Sequence, residues 1–96
     1  MIRIFMKTII IACGSGIATS TLLADSVIEF CESNGISVRV IQCSISEIDS
    51  YEMMGDLIVS STSLSRSYSI PAVNGIGFIT GMGLEEAQEE ILKYLS

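Results

Sequence analysis

Ninety-six residues, 49% of them hydrophobic and 17% charged, are enough to build one core and describe one domain over residues 1–96. A single proline and the modest charge exclude an intrinsically disordered chain. A net charge of -6, with only Arg3, Lys7, Arg39, Arg66 and Lys93 as scattered cations, excludes a nucleic-acid partner, because phosphate backbones are bound by clustered Lys and Arg.

Arg3 and Lys7 precede Thr8-Ile9-Ile10-Ile11-Ala12-Cys13, which has the look of a signal peptide before a lipid-modified cysteine. The apolar run is too short for that, and no stretch approaches the ~20 apolar residues of a membrane span. The segment Ile4 to Ala12 is instead a strand, buried on both faces at Ile9-Ile10-Ile11. Cys13-Gly14-Ser15-Gly16 breaks it. From about Ala18 to Asn34 the period becomes helical, with Leu23, Val27, Phe30 and Cys31 on one face and Asp25, Glu29 and Glu32 on another. Asn34-Gly35 is the stop.

Ile36 to Cys43 alternates and is β-branched, giving a second strand. Ser44 to Tyr51 holds a brief helix around Glu47 and Ile48, capped by Ser44 or Ser46. Asp56-Leu57-Ile58-Val59 is a third strand, running into Ser60-Ser61-Thr62-Ser63 and a loop with Arg66, Tyr68 and Pro71. A last strand is expected within Val73 to Thr80, centred on Ile76 to Ile79. Gly81-Met82-Gly83 leads into a final helix with Leu84, Ala87, Ile91 and Leu95 buried and Glu85, Glu86, Glu89 and Glu90 in solvent. Alternating strands and helices predict an α/β fold: a small doubly wound, four-stranded parallel sheet in the order 2-1-3-4, with helices on both faces.

In such a sheet the ligand site lies at the carboxyl ends of the strands, where the strand order reverses. Strand 1 is there, and Cys13 is the residue just past its end. Gly14 and Gly16 let the backbone turn tightly and aim successive N–H groups inward as an anion nest, and the helix that follows adds free N–H groups and partial positive charge. Ser15, Thr19, Ser20 and Thr21 offer hydroxyls. This arrangement lowers the thiol pKa of Cys13 and solvates a phosphoryl group carried on its sulfur. An activating base is then unnecessary, which suits a chain with no histidine. The same lack removes Cys-His and Ser-His catalytic pairs and most zinc sites. Cys31, on the apolar face of the first helix, and Cys43, at a strand end, read as structural, and three well-separated cysteines suit a reducing compartment.

Rival loop chemistries fail on particular residues. No Lys follows the glycines, as a kinase-type P-loop requires. Thr19 stands where a dinucleotide fingerprint has its last glycine, and strand 2 ends in Gln42-Cys43 without an acid. Thr19 also occupies the position of the Arg in a C-x5-R phosphatase loop, removing the fork that clamps the hydrolytic transition state. A loop that holds phosphocysteine yet hydrolyses it poorly is what a carrier needs.

Ile10-Ile11-Ala12-Cys13-Gly14-Ser15-Gly16-Ile17-Ala18-Thr19-Ser20-Thr21 resembles the phosphorylation loop of the IIB proteins of the sugar phosphotransferase system, the galactitol type in particular. The likeness continues through Val40-Ile41-Gln42-Cys43, Glu47-Ile48, Ile70-Pro71, Gly75 and Phe78 to Gly83, from about Met6 onward. Met1 to Phe5 departs from that pattern as a short extension, which makes Met6 a second candidate start. It implies the four-stranded fold already argued, with Cys13 as the phosphorylated residue. It implies a phosphohistidine on a IIA protein as donor and a sugar or alditol hydroxyl, bound by the membrane IIC permease, as acceptor. It also implies a cytoplasmic protein peripherally associated with that permease. Backbone donors from Gly14, Ser15, Gly16, Ile17, Ala18 and Thr19, with the hydroxyls of Thr19 and Ser20, would hold the phosphoryl group without a metal or cofactor. Arg66 is a candidate to reach the site, against the plainer reading of a solvated surface arginine. A cysteine phosphatase of low molecular weight and a non-catalytic anion-binding or redox module remain the alternatives.

Overall fold

In the computed structural model, residues 7–13, 17–61 and 67–95 are described, with backbone only at residues 13 and 17–21. The expectations on Met1 to Phe5, on Gly14, Ser15 and Gly16, and on Thr62, Ser63 and Arg66 lie outside the described residues.

The β-branched run forms strand β1, Lys7–Cys13. It pairs in parallel with β2, Val38–Ser44, on one side and with β3, Leu57–Ser60, on the other. Strand β4, Ala72–Asn74, adds in parallel to β3, so the order is β2-β1-β3-β4, as the sequence predicts. Being central, β1 buries both faces: Ile9, Ile10 and Ile11 are fully inaccessible. Each is worth about 1.5–3 kcal/mol relative to exposure.

Two helices cover one face. Helix α1, Ile17–Ser33, sends Leu23, Ala24, Val27 and Cys31 into a core with Ile9, Ile11, Leu57 and Val59. Its C-terminus closes in a Schellman turn: Ile36 N–H reaches Cys31 O at 2.9 Å and Gly35 N–H reaches Glu32 O at 3.1 Å. Gly35 takes φ of 78° there, a conformation any Cβ would strain. The final helix, α4, Leu84–Leu95, adds Ala87, Ile91 and Leu95 to the same core, while Leu84 is only half-buried. Glu85 and Glu86 in its first turn and Lys93 in its last match its dipole.

The other face is covered by the segment after β2. It winds as a 3-10 turn Ile45–Glu47, a single α-helical turn α2, Ile48–Tyr51, and a second 3-10 turn Glu52–Met54. Ile48 packs there on Ile10, Ala12 and Ile58. Among the described residues, no helix is long and apolar enough to cross a membrane.

One element differs from expectation. The strand expected around Ile76 to Ile79 lies earlier, at Ala72–Asn74, and Gly77–Thr80 is a helical turn, α3. The apolar run has strand composition, but local hydrogen bonds override it. Asn74 Oδ1 accepts the Ile76 N–H at 3.0 Å, turning the chain out of the sheet, and Gly81 N–H closes the turn on Gly77 O at 2.8 Å. The apolar side chains still serve a core: Phe78 meets Phe30 of α1 edge to face at 6.0 Å between ring centroids.

Candidate functional site

All four strands run the same way, so their carboxyl ends form one edge. In register across that edge stand Ser44 of β2 and Cys13 of β1, then Ala12 of β1, Ser60 of β3 and Asn74 of β4. Ser61 N–H donates to Ala12 O at 3.2 Å, and Gly75 N–H donates to Ser60 O at 2.6 Å, extending the pairing past the strand ends. The connection from β1 through α1 leads to β2 on one side, whereas β3 lies on the other. The crevice of this sheet therefore opens at the end of β1, where doubly wound folds take their ligands.

Cys13 is the last residue of β1, and α1 begins four residues later at Ile17. The first turn of α1 contains no acidic residue, so no carboxylate of its own competes with an anion for the N–H groups of that turn. Ala18, Thr19 and Ser20 lie in that turn. Gly14, Ser15 and Gly16 are outside the described residues.

The other two cysteines differ in place: Cys31 lies in the core, and Cys43 pairs with Ala12, one step back from the edge. Cys31 is fully buried beneath α1, and burial, with a smaller contribution from the charge of Glu32, pushes its thiol up to about 11. It is therefore a neutral core side chain at physiological pH. Cys43 is half-buried on the opposite face, against the cluster of Ile10, Ala12, Ile48 and Ile58.

Ser44 was expected only as a cap, yet its place opposite Cys13 is the more telling fact. Its backbone N–H donates to Glu47 Oε1 at 3.0 Å, and its hydroxyl lies 3.1 Å from both that oxygen and Ser46 Oγ. The backbone bond, and then the hydroxyl, hold the Glu47 carboxyl below the usual glutamate range. Glu47 thereby fixes the end of β2 beside Cys13. The pairing rests on register between two segments distant in sequence, which no local pattern gives. Asn74 and Gly75 fall within the range expected to hold the last strand, so their place at this edge carries no sequence signal.

The family described as PTS system, Lactose/Cellobiose specific IIB subunit, matches residues 8–91. The chain is 41% identical over 90 residues to a PTS system galactitol-specific EIIB component of Escherichia coli, covering 93% of this chain and 96% of that one. The same values hold for the galactitol-specific EIIB component of Shigella flexneri. A solved lactose-specific IIB component domain from Streptococcus pneumoniae shares the fold, with a TM-score of 0.63 at 18% identity over 96% of this chain and 100% of that one. The chain thus belongs to the IIB subunits of the phosphotransferase system, galactitol type, a family of phosphotransferases that serve sugar uptake.

Proposed function

We propose that this chain carries a phosphoryl group on Cys13 between a IIA protein and a sugar or alditol of the galactitol kind. The Cys13 thiolate attacks phosphorus in line, forming an S–P bond as the N–P bond of the IIA phosphohistidine breaks. In the second step a hydroxyl of the acceptor, held by the membrane IIC permease, attacks the same phosphorus. The S–P bond then breaks, the hydroxyl loses its proton and the thiolate is regenerated. The chain's part is positioning and charge stabilisation: backbone N–H groups of Gly14, Ser15, Gly16, Ile17, Ala18 and Thr19, with the hydroxyls of Thr19 and Ser20, surround the phosphoryl oxygens.

The observation that carries this reading is the position of Cys13: last residue of the central strand, four residues before a helix whose first turn holds no acid. Acceptor choice belongs to the permease, and the galactitol kind follows from the names of the similar proteins. Membranes carrying a galactitol-type IIC permease, supplied with this protein and phosphorylated IIA, should convert galactitol to its phosphate. Formation of no alditol phosphate in a mixture that is active with another galactitol-type IIB protein would refute the acceptor assignment.

A further inference from the structure

We propose that Gly75 is a positioning residue for phosphoryl transfer, setting the seat of α1 against the end of β1. The inference rests on Cys13 being the phosphorylated residue. Gly75 leaves β4 at the carboxyl edge and is itself buried. Its N–H is tied to Ser60 O at 2.6 Å, and Ser60 is the register partner of Ala12, the residue before Cys13. On its other side it lies against α1. A methyl group built at Gly75 would overlap a γ-methyl of Val59 and stand 3.1 Å from Leu23 Cδ1. Val59 belongs to a buried four-residue strand and has little room to retreat, and Leu23 is the fully buried anchor of the second turn of α1. The overlap falls first on Val59, and because Val59 and Leu23 share one core, the strain of a side chain at position 75 is relieved by pushing α1 outward. The first turn of that helix, which begins four residues after Cys13, moves with it.

Gly75 thus does more than fill a tight corner. The absence of a Cβ lets the end of β4 press on Leu23, so the helix N-terminus keeps its distance from the strand that ends in Cys13. A helix N-terminus drawn away from a thiol favours the thiolate less, and a misplacement of about 1 Å at a reacting centre costs up to about a hundredfold in rate.

The test measures two quantities in folded protein below its thermal transition: the pH midpoint of Cys13 alkylation, and the initial rate of phosphoryl gain from phosphorylated IIA. Gly75→Ala should raise the alkylation midpoint and slow phosphoryl gain roughly tenfold or more. Adding Val59→Ala, which gives the new methyl room within the sheet, should restore both. Leu23→Val alters the same contact without adding atoms and should shift the midpoint, so it decides the matter if Gly75→Ala does not fold. A wild-type alkylation profile in folded Gly75→Ala, or in Leu23→Val if Gly75→Ala does not fold, would overturn the proposal, whatever their stability or rate. If the wild-type chain itself gains no phosphoryl group, the carrier reading fails, and the alkylation series still decides whether Gly75 positions α1.

Discussion

Cys13 and Ser44 face each other as the last register pair of the parallel strands β1 and β2. The strand end that carries the proposed carrier cysteine is therefore braced by a strand end that Glu47 fastens, through the Ser44 N–H at 3.0 Å.

That brace has a pH dependence. The Glu47 carboxyl is held below its ordinary range in the folded chain, so its contribution to stability is fully present above the unfolded pKa and is lost as pH falls through the folded one. Thermal melts of wild type and Glu47→Gln should differ most at neutral pH and converge in acid. A constant offset across the range would contradict the role assigned to the charged form.

Cys31 has the opposite sign. Its thiol is pushed up to about 11 by burial, so the unfolded chain loses its proton first as pH rises. Stability should therefore fall between about pH 9 and pH 11. Urea midpoints taken at pH 8 and pH 10 should drop further in wild type than in Cys31→Ala. Near neutrality, alkylation with peptide mapping should modify Cys13 before Cys31 or Cys43, and the reverse order would contradict the reading of the site.

The architecture was legible because the signals that set it are local and strong. Three consecutive isoleucines demand a strand buried on both faces, and the Leu23, Val27, Cys31 spacing demands a helix packed on it. Once those alternate, handedness leaves little choice of strand order. The end of the sheet was not legible. Ile76 to Ile79 has strand composition, yet an Asn74 side-chain bond and the Gly81 closure make a helical turn of it. At the candidate site, Cys13 is proposed from its place before a Gly-rich turn. The neighbours Ser44 and Gly75 depend on register between segments distant in sequence, which periodicity does not encode.

Asp56 tests how far stability and activity separate. At the amino end of the sheet its Oδ2 accepts the Thr8 N–H at 2.8 Å, while its own N–H donates to Thr8 O at 2.7 Å. Asp56→Ala leaves the Thr8 N–H without its partner and should cost about 1–3 kcal/mol by urea titration. Thr8 is five residues along β1 from Cys13, about 16 Å at strand rise, so phosphoryl gain should be unaffected. A matching loss of rate in folded protein would contradict this separation.

Thr19, in place of the phosphatase arginine, should leave the purified chain with negligible aryl phosphatase activity. Turnover comparable to a cysteine phosphatase would favour that alternative over a carrier.

The most direct test is intact-mass measurement after incubation with phosphoenolpyruvate, the general phosphotransferase proteins and a IIA partner. Wild type and Cys31→Ser should each gain one phosphoryl group. Cys13→Ser, folded but with a hydroxyl that stays protonated at neutral pH, should gain none. A phosphoryl group that persists on Cys13→Ser would contradict the assignment of Cys13 as the carrier.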